Sequence, residues 1–76
     1  MSNPVDHNRL QLLAASVRRQ AGPWTKRRVM RLYRSAGRAA PLARTARRDL
    51  AALAADGLLE RHDAPGRRYY TRKDTA

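Results

Sequence analysis

The sequence predicts a mainly α chain of the α+β class: three helices followed by a C-terminal two-stranded β-hairpin. Three observations predict it. Apolar residues recur at helical spacing in three stretches: Leu10-Leu13-Ala14-Val17, Val29-Leu32-Tyr33-Ala36 and Ala46-Leu50-Leu53-Ala54. Glycine-containing breaks separate those stretches, at Ala21-Gly22-Pro23, Gly37 and Gly57. After Gly57 the pattern changes to short extended runs on either side of Asp63-Ala64-Pro65-Gly66.

Residues 1–5 are expected to be a disordered lead. Asn3 before Pro4, or Asp6, supplies an N-cap for the first helix, which runs to about residue 20. Arg9, Arg18 and Arg19 lie near the edges of its apolar stripe and are expected to be solvated. Gly22 and Pro23 end it. Trp24, the only tryptophan, reads as a packing residue in an edge strand of one to three residues. Thr25 then caps a second helix over residues 26–36, whose outer face carries Arg27, Arg28, Arg31 and Arg34. Residues 38–41 are a short connector, with Pro41 suited to the first turn of a third helix over about 41–56. Gly57 supplies the left-handed residue of its C-cap. Residues 58–62 and 67–72 make the hairpin. Strand alternation turns only one of Tyr69 and Tyr70 toward the core. Residues 73–76 are expected to fray. The whole chain, 76 residues, is read as one domain with a small core.

Composition narrows the function. The chain holds 17 basic and 6 acidic residues, a net charge of +11, which points to a polyanionic partner and above all to nucleic acid. The charge is segregated: residues 26–48 hold nine basic residues and no acidic one, while acids follow at Asp49, Asp56, Glu60 and Asp63. There is no cysteine, and His7 and His62 lie too far apart to suggest zinc, so no metal or cofactor is expected. No apolar run reaches the roughly 18–20 residues of a membrane span, and the N-terminus lacks the form of a signal peptide. An enzyme is not expected. No paired carboxylates, phosphate-cradling glycine loop or Ser–His–acid set can be picked out.

The third helix carries the sharpest signal. Its apolar stripe needs a core, while Arg44, Thr45, Arg47 and Arg48 lie at its N-terminal end, mostly off that stripe. Arginine forks onto guanine edges or phosphates, and threonine reaches a phosphate or a thymine methyl. A buried helix with a cationic N-terminal outer face is what reading the major groove of double-stranded DNA requires. Arg27, Arg28 and Arg31 of helix two, and Arg67 and Arg68 at the hairpin tip, are the candidate phosphate contacts. Asp49 is expected to orient a neighbouring arginine or to cap locally.

The order helix, brief strand, helix, helix, hairpin resembles the winged helix-turn-helix superfamily over nearly the full length. Thr45-Ala46-Arg47-Arg48-Asp49-Leu50, then Leu53, then Gly57-Leu58-Leu59-Glu60-Arg61 resembles the recognition helix of DeoR-type repressors, and Asn8-Arg9-Leu10-Gln11-Leu12-Leu13 resembles their first helix. The resemblance implies that Thr45, Arg47 and Arg48 contact DNA. The chain departs from that family in its wing, where His62-Asp63-Ala64-Pro65-Gly66 replaces a His-Gly-Gly-Ala run, in the region 24–41, and in lacking a sugar-phosphate effector domain. No small-molecule effector is therefore expected.

The resulting expectation is a small stand-alone winged-helix DNA-binding protein that regulates transcription, bacterial, cytoplasmic and nucleoid-associated. Two alternatives stay open: an architectural, recombination or replication accessory factor of a mobile element, and a winged-helix module for an acidic protein or RNA. The oligomeric state is open as well. A homodimer would match a palindromic site, with Leu12 and Ala15 as the residues that could contribute.

Overall fold

The computed structural model describes residues 4–37 and 43–73, with the backbone alone for residues 4–6. Three helices, α1 (Pro4–Arg19), α2 (Lys26–Ser35) and α3 (Ala43–Ala55), precede two strands, β1 (Leu59–Ala64) and β2 (Arg67–Arg72). The fold is thus mainly α with a small antiparallel sheet, in a winged-helix-like layout. The cap expected at Asn3, the connector with Arg38 and Pro41, and the tail 74–76 lie outside the described residues; Asp6, the other expected cap, lies inside α1 and so does not cap it. Helix α1 takes in Pro4 and Val5, so these two belong to the helix and not to a lead.

Local chemistry sets the helix ends. The Thr25 hydroxyl accepts the Arg28 N–H at 3.2 Å, the N-cap bond of α2. Helix α3 closes in a Schellman motif. The Leu58 N–H donates to Leu53 O at 3.0 Å and the Gly57 N–H to Ala54 O at 3.1 Å, with Gly57 at φ 87°. That motif turns the chain directly into β1. The hairpin loop is tighter than the composition suggests. Asp63 and Ala64 still pair with Arg68 and Arg67, leaving only Pro65 and Gly66 between the strands. Proline at the first corner and Gly66 at φ 71° at the second match a type II turn.

The expected edge strand is a single bridge. Trp24 and Tyr70 exchange both backbone hydrogen bonds, at 2.7 and 2.8 Å. This puts β2 between β1 and the segment leading into α2. The Lys73 N–H donates to Leu58 O at 2.8 Å, so residue 73 is tied to the sheet and not frayed.

Every element contributes to one core. Leu13 and Val17 come from α1, Trp24 from the bridge, Val29 and Tyr33 from α2, Leu50 from α3 and Leu59 from β1; all are essentially inaccessible to solvent. Tyr70 from β2 joins them, and Tyr69 turns away, as alternation requires. Ala36, placed on the α2 stripe by its spacing, is exposed because it is already the C-cap residue. Burying each large apolar side chain contributes roughly 1.5–3 kcal/mol, so a core this small leaves little margin. No helix among the described residues is long and apolar enough to cross a membrane.

Candidate nucleic-acid interface

Helix α3 lies with Ala46, Asp49, Leu50 and Leu53 inward. Residues on the opposite side must then face out: Arg44 and Arg48, one turn apart, and the small Ala51 beyond them, with Arg47 on the flank. The hairpin rises beside this face. Its register places Leu59, Arg61, Asp63, Arg68 and Tyr70 on one side of the ribbon. Leu59 and Tyr70 enter the core, whereas Arg61, Asp63 and Arg68 extend past its edge.

The result is an open groove of about 780 Å³ between α3 and the hairpin, floored by Leu50 and Tyr70. Seven cationic residues line it: Lys26, Arg44, Arg47, Arg48, Arg61, Arg67 and Arg68. The single carboxylate in its lining is Asp63. Arg44, Arg47 and Arg48 form no ion pair among the described residues. Their charge is directed at whatever enters the groove. The Arg68 Nε donates to Asp63 Oδ1 at 2.8 Å, and Arg61 Nε lies 3.3 Å from Oδ2. The Arg68 hydrogen bond, with the positive charge of both arginines, holds the Asp63 carboxyl below the usual carboxylate range.

The structure therefore gathers five of the nine residues that the sequence singles out: Arg44, Arg47, Arg48, Arg67 and Arg68. Thr45 is half-buried and lies outside the groove lining. Arg27 and Arg31 are exposed on α2, also outside the lining, and their side chains make no hydrogen bond or ion pair among the described residues. Arg28 is drawn back into the fold. Its guanidinium lies 3.8 Å over the Trp24 ring and donates to Ala21 O at 2.8 Å, Pro23 O at 3.0 Å and Gln20 Oε1 at 3.1 Å. Those bonds give it a structural role in bracing the α1–α2 connection. Lys26 and Arg61 line the groove but escape the sequence reading. The signal for Arg61 was strand parity with Tyr70, since an inward tyrosine puts its cross-strand partner on the same face.

Behind the cationic face lies a buried polar node. Arg9 donates to Asp49 through Nε at 2.7 Å and Nη2 at 3.1 Å, and the Tyr33 hydroxyl donates to Asp49 Oδ2 at 2.7 Å. Arg9 was expected to be solvated. It instead crosses from α1 to grip α3, because Asp49 points inward one residue after Arg48. Burial and the neighbouring carboxylate push the Tyr33 hydroxyl well above its ordinary range.

No family model, curated protein or solved structure matches this chain.

Proposed function

We propose that this protein binds double-stranded DNA sequence-specifically through α3 and its hairpin wing, as a transcriptional regulator. The observation that carries the reading is the groove itself. Three arginines of one helix, without ion pairs among the described residues, face Arg61 and Arg68 of a β-ribbon, with Arg67 at its tip, over a width open to solvent. Arg44, Arg47 and Arg48 read base edges in the major groove, where a guanidinium fork matches guanine O6 and N7. Lys26, Arg61, Arg67 and Arg68 neutralise phosphates, with Arg27 and Arg31 as outlying contacts.

Fluorescence anisotropy tests this with labelled duplexes at two salt concentrations: the region upstream of the protein's own gene, and a scramble of equal composition. Site-specific regulation predicts at least a roughly tenfold preference that persists at the higher salt. Equal, salt-sensitive affinity for both would instead favour an architectural DNA binder. Absence of binding at low salt would overturn the DNA reading and turn attention to RNA or an acidic protein.

A further inference from the structure

The groove lining holds a single carboxylate, Asp63. Asp63 sits on the face of the wing that looks toward α3, between Arg61 and Arg68, with one oxygen toward each. All three side chains are more than half exposed, at 56, 52 and 60 % for Arg61, Asp63 and Arg68. An ion pair that open to water is worth little and exchanges readily. While made, it orients the two guanidinium groups and cancels part of their charge. The other acid of β1, Glu60, lies on the opposite face of the ribbon, so the placement of Asp63 is specific to the groove side.

We propose that Asp63 is an acidic latch on the wing: it holds Arg61 and Arg68 in the free protein and yields them to a backbone phosphate on binding. This rests on the DNA reading above. The carboxylate is a mimic of the phosphate that displaces it, accepting the same Arg68 Nε–H. While in place it lowers the affinity of the wing for any polyanion. A duplex that engages the wing loosely leaves the latch closed and gains little. A duplex seated by α3 presents a phosphate at fixed geometry and opens it. Asp63 is in this sense a positioning residue that sets how strongly the protein binds DNA without regard to sequence.

The test compares wild type, Asp63→Asn, Glu60→Gln and the double variant D63N/R68A with R68A. The probes are a mixed-sequence 20-base-pair duplex and inorganic polyphosphate, each across a salt series. Thermal melts check that the exposed substitutions leave the fold intact, and Asp63→Glu serves as the conservative control. The latch predicts that D63N binds both probes roughly three- to tenfold more tightly and steepens the duplex salt slope by about 0.9 per arginine released. E60Q, which changes net charge equally, gains much less. R68A removes most of the D63N gain, and D63E behaves as wild type. If wild type binds polyphosphate but no duplex, the DNA reading falls, and the latch is decided by whether D63N gains on polyphosphate. Equal gains from E60Q and D63N, or a D63N gain that survives R68A, would reduce the effect to net charge and overturn the latch. So would unchanged or weaker binding by D63N on both probes, or binding of neither probe by any variant.

Discussion

The Tyr33 hydroxyl donates to Asp49 Oδ2 at 2.7 Å, joining α2 to α3 directly behind the arginines that face the groove. Asp49 also takes a forked bond from Arg9 of α1, so one carboxylate ties all three helices together. Apolar packing alone allows α3 to slide or rotate a little on its stripe. A buried, fully bonded carboxylate fixes its rotation, and with it the direction of Arg44, Arg47 and Arg48. Removing it takes the forked acceptor from Arg9 and the acceptor from the buried Tyr33 hydroxyl. Asp49→Ala is expected to lower stability by roughly 3–5 kcal/mol, a large share of what a chain this size has. Urea denaturation would show it as a fall in midpoint.

The same node predicts an alkaline limit. The folded-state Tyr33 hydroxyl titrates above its unfolded value of about 10. Between those values the unfolded chain has lost the proton and the folded chain keeps it. Stability is therefore full below about pH 10 and falls as pH rises beyond it, by about 1.4 kcal/mol per pH unit from this group. Tyr33→Phe costs roughly 1–2 kcal/mol at neutral pH through the lost hydrogen bond, and it abolishes this contribution to the alkaline slope. Denaturation midpoints from pH 8 to 11 for the two proteins check the sign. An identical slope in both would remove Tyr33 from the account.

Arg28 and Arg31, one turn apart on α2, are expected to behave oppositely. Arg28 caps the Trp24 ring and three acceptors of the connecting segment. Arg28→Ala should cost roughly 1–2 kcal/mol in stability and shift Trp24 emission, while leaving the DNA salt slope nearly unchanged. Arg31 is exposed, and its side chain makes no hydrogen bond or ion pair among the described residues. Its replacement by alanine should alter stability by less than about 0.5 kcal/mol and make the salt slope shallower by up to about 0.9.

These contrasts mark what the sequence discloses and what it hides. The helical stripes and the glycine breaks fix the elements, because period and backbone freedom are local properties. The outward arginines of α3 follow from the same stripe by subtraction. Arg28 is different: on a helical wheel it belongs with Arg27 and Arg31, and only the return of the chain past Trp24 supplies it with carbonyls. Arg9 and Asp49 lie forty residues apart, so their pairing depends on how α1 docks. Asp63 and Arg61 read as turn and surface charges until the register of the hairpin shows that both share a face with Tyr70.

Gly22 tests the bridge that anchors the wing. A Cβ built there would lie 3.0 Å from Tyr70 O and 3.2 Å from Trp24 N, both backbone atoms of the bridge and unable to swing aside. Gly22→Ala should therefore cost roughly 1–3 kcal/mol by overpacking. Trp24 is almost wholly buried, so a red shift of its emission would accompany the loss if the bridge opens. An alanine variant with unchanged melting and emission would mean that the segment before Trp24 can move away from β2 at little cost.

Arg48 gives the sharpest test of how α3 is used. It lines the groove from the outer face of the helix, one turn after Arg44, with no ion pair among the described residues to hold it elsewhere. If its fork reads a guanine, Arg48→Ala should cost about 1–3 kcal/mol on the preferred duplex and much less on a scramble, so the preference narrows. If it neutralises a phosphate, the loss should be equal on both duplexes and the salt slope should fall by about 0.9. The wing arginines provide the comparison: Arg67→Ala should follow the phosphate pattern, because Arg67 sits at the hairpin tip, stacked 5.4 Å over Tyr69 on the outer face. Measuring both variants on both duplexes over one salt series separates reading from gripping. A phosphate pattern for Arg48 as well would shift base reading to Arg44 and Arg47.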